Sequence, residues 1–409
     1  MRYVIIGNGI AGVCAAEAIR ELDVLGSITM IGDETFPPYS RPMISMVLDG
    51  SCPYEKLPVR SEGFYEDLSV TPVLGKRVSA IDVETREVLI KDGVRIPYDK
   101  LLIASGADPR TLKASNMNLA NIFYMRTEAH VRAKLKALPE ARKGLVLGGG
   151  LVGFKAAYGL LKRGLDVTML ITSGYPLSMQ VDETAGKIIL NELLKHGLKV
   201  EVGVSVEAFE GTDRVEAAHT SNGNRIPCDM VVIGKGVYPA LSFVPRDKIE
   251  VDLGIVVDEH LETSSPGIFA AGDVAESIDI ARKERWINAL WPEAVEQGRI
   301  AGWNMAGRPV FYKGSLSRNV MRVMGLDVLT VGLVTPPSAD GYEVLTASDP
   351  RQNTYRRLVF RGDLLVGAVL INRIEQGGVL MSLITNEVAL RIPKDRLLSP
   401  SFNYRQLLM

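Results

Sequence analysis

The sequence predicts an α/β fold with two Rossmann-like dinucleotide-binding domains, the second inserted in the first, and a C-terminal α+β domain. Three observations predict it. An apolar strand at residues 2–6 runs into "GNGIAG" and a helix-period stretch at 10–22. The same order of strand, glycine turn, helix and strand recurs at 144–174, in "GLVLGGGLVGFKAAYGLLKRGLDVTMLITSG". After about Gly307 the pattern changes, and "RRLVFRGDLLVGAVLI" reads as a hairpin turning at Gly362-Asp363, followed by a helix near 375–385.

At 409 residues the chain exceeds one hydrophobic core and implies two or three domains. The expected boundaries are 1–112 with 245–309 for the first, discontinuous domain, 113–244 for the inserted domain, and 310–409 for the last.

Within the first domain, a second strand is expected at 27–31. The loop "GDETFPPYSRP" follows, and its prolines oppose regular structure. Strands are expected at 78–83 and 87–90, the latter leading into a turn at Asp92-Gly93, and a buried strand at 101–104. A charged helix is expected over 127–143. The inserted domain continues with a strand at 167–171, a helix at 183–196, a strand near 200–204 and a strand at 230–233. The chain then returns to the first domain with "GIVVDEHLETSSPGIFAAGDVAE", a strand, a turn and a strand ending in Gly272-Asp273, and a helix at 292–305.

Composition narrows the function. There are 47 basic and 48 acidic side chains, for a net charge of -1, which argues against nucleic-acid binding. Cys14, Cys52 and Cys228 lie far apart with no C-x-x-C pair, so neither a disulfide framework nor a metal cluster is expected, and a reducing, cytoplasmic setting fits. The four histidines, His130, His196, His219 and His260, have no metal-ligand spacing, and no metal site is expected. There is no G-x-S-x-G elbow. The chain opens directly on a strand and glycine turn, which predicts no signal peptide, and no apolar run of about 18 residues predicts a membrane span.

The glycine turns carry the chemistry. In "GNGIAG", Gly7 allows a tight turn, Gly9 lets a pyrophosphate approach the backbone, and Gly12 packs helix on strand. The helix N-terminus, here Ile10 and Ala11, offers free N–H groups and a dipole to the phosphate. About twenty residues on, Asp33 and Glu34 end the second strand, and either can accept the ribose hydroxyls. In "GGGLVG", Gly148, Gly150 and Gly153 repeat the spacing, with Leu151 and Val152 opening the helix. The acid is missing there. The strand ends in Thr172 and Ser173, which can hydrogen-bond to an NAD ribose or to a 2′-phosphate. A second nucleotide site is the expected reading, and a turn that keeps the fold without a ligand is the alternative. Two nucleotide sites in one chain point to a flavin and a nicotinamide that exchange hydride.

On these fingerprints, together with "YSRP" at 39–42, "LLIASG" at 101–106, "GIFAAGDV" at 267–274 and "NALWPEAVEQGRIAGWNMAG" at 288–307, the chain resembles the pyridine nucleotide-disulfide oxidoreductase fold family. Within it, the sequence is similar to the branch of NADH:rubredoxin reductases, ferredoxin reductases, NADH oxidases and the flavin part of nitrite reductases. The resemblance implies FAD in the first domain and NAD(H) or NADP(H) in the second. It implies FAD contacts from Asp273 to the ribityl chain, from Arg41 and Pro42, from Ala104, Ser105 and Gly106, from Gly272, and from Val78 and Arg126. It implies that the helix opening at Trp291-Pro292 points its positive end at the flavin, and that Gly236 lies in the nicotinamide site.

Two departures from the family stand out. Disulfide reductases of this fold carry a C-x4-C pair after the first helix, and peroxidase or oxidase relatives carry one Cys near "YSRP". Here Arg41, Pro42 and Met43 occupy that region and Cys52 falls about ten residues too late, so no thiol chemistry is expected. Ferredoxin-reductase relatives also carry Glu two residues after the last glycine and Lys after the "RP" loop, where this chain has Lys155 and Met46. Lys155 is expected either to tune the flavin and nicotinamide or to be a lysine that is solvated or paired with a nearby carboxylate.

The implied function is an FAD-dependent NAD(P)H oxidoreductase. Hydride passes between nicotinamide C4 and flavin N5, and single electrons go to a ferredoxin- or rubredoxin-like iron-sulfur protein. The alternatives are an oxidase using oxygen, or a flavin electron-transfer subunit of a larger complex that does not itself turn over nicotinamide. A homodimer is compatible with the C-terminal domain.

Overall fold

A computed structural model describes residues 1–338, 340–399, 401–403 and 405; the remaining positions of the expected 310–409 domain lie outside the described residues. The chain divides into two compact units. One comprises residues 1–42, 54–108 and 237–316, and the other residues 43–53, 109–236 and 317–409.

The first unit is built on a five-stranded parallel sheet, in the order Ile268–Ala270, Lys100–Ile103, Arg2–Ile6, Ser27–Gly32, Val70–Leu74. Its central strand, Arg2–Ile6, is buried beyond its first residue, as its unbroken apolar run requires. Helix Ile10–Leu22 follows the glycine turn and shows an almost continuous face of small residues, including Ala11, Ala15 and Ala18. Helix Trp291–Met305 lies against that face. A side chain at Gly298 would strike the Ala11 carbonyl, and a Cβ at Gly302 would lie 2.5 Å from the Ala15 carbonyl oxygen. The Gly298-x-x-x-Gly302 spacing is therefore a packing requirement.

Strand Val70–Leu74 has no counterpart in the sequence-based expectations. It contains Pro72, which suits the edge position, where a missing N–H breaks no interior ladder bond. An antiparallel sheet of Val78–Asp82, Glu87–Ile90 and Arg95–Pro97 completes this part of the unit.

The second unit repeats the parallel plan in the order Lys199–Val202, Asp166–Ile171, Lys143–Leu147, Met230–Ile233, Ile122–Tyr124. Helices Leu151–Lys162 and Glu183–Lys195 form the crossovers. The short helix Ile44–Asp49 packs on the first of these, where a Cβ at Gly159 would sit 3.1 Å from Leu48 Cγ. The helix expected over 127–143 is shorter. It runs Glu128–Ala137, tightens into a 3-10 turn at Leu138–Glu140, and gives way to the strand at Lys143. Pro139 has no N–H to continue the α-helical ladder. Thr127 and His130 form a reciprocal capping box at its start.

The C-terminal part of this unit is a five-stranded antiparallel sheet, ordered Arg318–Val323, Leu326–Gly332, Leu364–Ile371, Thr354–Arg361, Glu343–Asp349. Gly362 adopts φ +56° in the hairpin turn, and helix Gly377–Thr385 begins two residues later than expected. Tyr355 of this sheet donates to Asp182 Oδ2 at 2.8 Å, at the N-cap of helix Glu183–Lys195. The architecture is thus the expected α/β fold: two dinucleotide-binding folds and a C-terminal sheet domain. Among the described residues no helix is long and apolar enough to cross a membrane.

Candidate dinucleotide sites

The first glycine turn connects the central strand of its sheet to helix Ile10–Leu22. Gly7 holds φ +127°, and a side chain there would collide with the Ala104 carbonyl. Its N–H donates to the Ile31 carbonyl at 2.7 Å, tying the turn to the neighbouring strand. A Cβ at Gly12 would collide with the Gly7 carbonyl, so helix and turn touch. Gly9 differs from both. A Cβ there would meet nothing within 4 Å, in an extended conformation that any residue adopts. Its missing side chain leaves open space in front of the helix N-terminus, where Ile10 and Ala11 present free N–H groups. That space fits a pyrophosphate.

The structure separates the two candidate acids. Glu34 is half-buried and engaged: Arg41 Nη2 donates to its Oε1 at 2.6 Å and the Tyr39 hydroxyl to its Oε2 at 2.9 Å. Arg41 Nη1 also donates to the Tyr39 hydroxyl at 2.8 Å, closing the triangle. Desolvation works against the Arg41 charge, but Tyr39, Glu34 and Asp273 outweigh it, and the guanidinium pKa is raised. Asp33, at the end of strand Ser27–Gly32, is exposed and makes no side-chain hydrogen bond among the described residues.

A cleft brings together Gly7, Gly9, Asp33, Glu34, Arg41 and Val78. Ala104, Ser105 and Gly106 also line it. Ser105 Oγ is committed to the fold, donating to the Ala240 carbonyl at 2.9 Å. Two residues that sequence reasoning did not single out, Asn8 and Phe36, line the same cleft. Asn8 donates to the Phe36 carbonyl at 3.4 Å and accepts from the Tyr65 hydroxyl at 2.9 Å, bracing the turn against the proline loop. No spacing rule reveals such contacts, since their partners lie 28 and 57 residues away.

Other expected FAD residues fall elsewhere. Gly272 and half-buried Asp273 lie in the same unit, in a turn beside Ala11, and half-buried Trp291 opens helix Trp291–Met305. Pro42 is exposed in the 3-10 turn Arg41–Met43. Arg126 belongs to the second unit, where its backbone N–H donates to His130 Nδ1 at 3.3 Å.

The second turn copies the first. Gly148 holds φ +118°, Gly153 lies against the Gly148 carbonyl, and a Cβ at Gly150 would meet nothing within 4 Å. Leu151 and Val152 start the helix, half-buried. Gly234 packs against Gly153, with a would-be Cβ 2.6 Å from its nitrogen, and Gly236 is exposed beyond it at φ +88°. At the strand end Ser173 Oγ donates to the Tyr175 carbonyl at 2.9 Å, while Thr172 is exposed. Ser173 has thus given up its proton and keeps acceptor capacity only, while Thr172 makes no side-chain hydrogen bond among the described residues.

Lys155 is exposed in the first turn of helix Leu151–Lys162 and has no hydrogen-bonding or ion-pair partner among the described residues; desolvation lowers its pKa. Lys235, half-buried between Gly234 and Gly236, is similar, its pKa also lowered by desolvation. No family motif marks Lys235, and only the folded turn places it beside Gly148. All three cysteines are buried and unpaired with one another. Burial pushes the Cys14 thiol up and that of Cys228 to about 12, leaving both inert.

Comparison with known proteins agrees with this geometry. Residues 1–298 match the family model described as pyridine nucleotide-disulphide oxidoreductase, and residues 318–388 match that of the rubredoxin NAD+ reductase C-terminal domain. The chain is 32% identical over 392 residues to nitrite reductase [NAD(P)H] of Bacillus subtilis (strain 168), covering 94% of this chain and 47% of that protein. It therefore spans about half the length of that relative. It is 29% identical to the NADH-dependent phenylglyoxylate dehydrogenase subunit epsilon of Aromatoleum evansii, covering 94% of this chain and 91% of that one. The putidaredoxin reductase-putidaredoxin complex superposes with a TM-score of 0.90 at 26% identity, covering 100% of this chain and 98% of the other. With two glycine cradles of one design, an acid left free at the first and a matching family model across both, the chain belongs to the pyridine nucleotide-disulphide oxidoreductase family.

Proposed function

We propose that this protein is an FAD-dependent oxidoreductase that moves electrons between NAD(P)H and a one-electron iron-sulfur protein of the ferredoxin or rubredoxin type. One observation carries the reading: the chain holds two open glycine cradles and only buried thiols. Electrons that arrive from a nicotinamide have no cysteine pair to reduce and must leave to an external acceptor. When bound, FAD supplies the exchange between two-electron and one-electron chemistry, accepting hydride from nicotinamide C4 at its N5.

The chain's own residues bind and orient. The Gly7–Gly12 turn receives the FAD pyrophosphate at the space left open by Gly9, with Gly7 and Gly12 holding the turn against the fold. Asp33 takes the adenosine ribose and Asp273 the ribityl chain. Arg41 is held in place by Glu34 and Tyr39 beside the cleft. Gly148, Gly150 and Gly153 receive the nicotinamide dinucleotide, and Thr172 its ribose. Lys155 tunes the redox pair, so that Lys155→Glu alters flavin potential and hydride-transfer rate. The C-terminal sheet serves partner docking or a homodimer, and the protein works in the cytoplasm.

The test is steady-state NAD(P)H oxidation in air, with and without a purified ferredoxin or rubredoxin. Turnover that depends on the iron-sulfur protein supports the reading, and equally fast turnover without it identifies an oxidase instead. A second reading has its own support: a relative matched over 91% of its length is named as the subunit of a dehydrogenase. An electron-transfer subunit would take up flavin yet leave NAD(P)H unoxidised when isolated.

A further inference from the structure

Gly272 adopts φ +80°, and its N–H donates to Gln297 Oε1 at 2.8 Å. Gln297 Nε2 donates in turn to the Tyr312 hydroxyl at 3.2 Å, and Tyr312 donates to Glu293 Oε2 at 2.7 Å. Three hydrogen bonds thus point the same way, from a backbone amide to a carboxylate, and bonds in such a chain polarise one another. Gln297 is 3%, Tyr312 5% and Glu293 2% exposed. Burying a carboxylate is expensive unless it is compensated, so apolar residues would fill this space at lower cost. The position of Glu293 supplies part of the compensation. It lies in the first turn of helix Trp291–Met305, where free N–H groups and the dipole favour an anion. Tyr312 keeps its proton, because desolvation and then the Glu293 charge raise its pKa.

The far end of the relay holds the turn that carries Asp273. A Cβ on Gly272 would lie 3.3 Å from Ala11 Cβ and 3.6 Å from Ala294 Cβ. Three elements therefore converge at Gly272: the first fingerprint helix, the Gly272-Asp273 turn and helix Trp291–Met305. A shift of Gln297 moves the turn relative to the glycine cradle.

We propose that Gln297, Tyr312 and Glu293 are positioning residues for a bound flavin. The relay fixes the Gly272-Asp273 turn, and the Glu293 carboxylate opposes the positive end of helix Trp291–Met305, making the flavin a stronger reductant. The inference rests on the reading that this unit binds FAD. Its sign follows from Coulomb's law, since a fixed negative charge disfavours the charge added on reduction.

The test uses the full chain loaded with FAD. Glu293→Gln keeps the volume and an acceptor oxygen for Tyr312 but removes the charge. Its midpoint potential, measured spectroelectrochemically, moves to more positive values, while the visible circular dichroism of the flavin stays close to that of the parent. Tyr312→Phe and Gln297→Met each cut the relay. They weaken FAD binding by roughly three- to ten-fold, the worth of one neutral hydrogen bond, and they change the circular dichroism. Fold integrity is read separately from thermal unfolding of the apoproteins. An unchanged potential in FAD-loaded Glu293→Gln, or unchanged affinity and dichroism in folded Tyr312→Phe, overturns the inference and leaves the proposed function intact. A parent chain that takes up no flavin overturns both.

Discussion

Arg41 Nη2 donates to Glu34 Oε1 at 2.6 Å, and this bond leaves Asp33 as the acid free to hold a ribose. The two carboxylates are adjacent in sequence, yet Glu34 is held by Arg41 and Tyr39 while Asp33 makes no side-chain hydrogen bond among the described residues. Asp33→Asn is expected to weaken FAD binding by roughly ten-fold, a loss of charge-assisted bonding of about 1.4 kcal/mol, with little effect on apoprotein stability. Glu34→Gln loosens Arg41 and lowers apoprotein stability as well. Equilibrium FAD binding and urea unfolding of both variants separate the two roles.

The glycines of the first turn predict opposite outcomes for the same substitution. Gly12→Ala drives a Cβ into the Gly7 carbonyl and is expected to destabilise the apoprotein by about 1–3 kcal/mol or more. Gly9→Ala meets nothing in the fold, so its melting temperature stays near the parent's while FAD affinity falls. Calorimetry of the apoproteins and FAD binding give the two readouts.

Lys134 gives a pH prediction. It is fully buried, donates to the carbonyls of Tyr124 and His130 at 2.7 Å each, and desolvation lowers its pKa from 10.5 to about 7. The folded state therefore binds fewer protons than the unfolded chain between about pH 7 and 10.5, and this contribution to stability rises with pH across that window. Lys134→Met removes the rise. In urea titrations at pH 7, 8 and 9, the stability of the parent relative to Lys134→Met should increase with pH; a constant difference contradicts the assignment.

Nicotinamide choice is expected to rest on Thr172. With no carboxylate among Ile171, Thr172 and Ser173, the 2′-phosphate of NADPH meets no charge repulsion from this strand end, and Ser173 has given its proton to the Tyr175 carbonyl. Thr172→Asp places a negative charge there and should raise the preference for NADH over NADPH by roughly ten-fold, equivalent to about 1.4 kcal/mol. Ratios of kcat/KM for the two nucleotides provide the check.

What could be read in advance was local. Helix Ile10–Leu22 and strand Arg2–Ile6 lie where their apolar periodicity places them, because each is specified by its own residues. Helix Glu128–Ala137 stops early because the break at Pro139 outweighs the helix formers beyond it. Strand Val70–Leu74 escaped because its pattern is short, half-exposed and interrupted by Pro72, and only pairing with Ser27–Gly32 makes it a strand. The candidate sites divide in the same way. Glycine spacing marked both cradles, but the choice between Asp33 and Glu34 depends on where the Arg41 side chain goes. Gln297 and Gly272 stand 25 residues apart and meet only in the folded unit, so nothing in the order of residues announces their bond.

The central claim is that one chain holds a flavin that a nicotinamide can reduce. The most direct measurement is an anaerobic titration of the FAD-loaded protein with NADH and, separately, NADPH, followed by visible absorbance. The expected result is bleaching of the flavin by at least one nucleotide at about one equivalent. Full retention of the oxidised spectrum with both nucleotides in excess would contradict it.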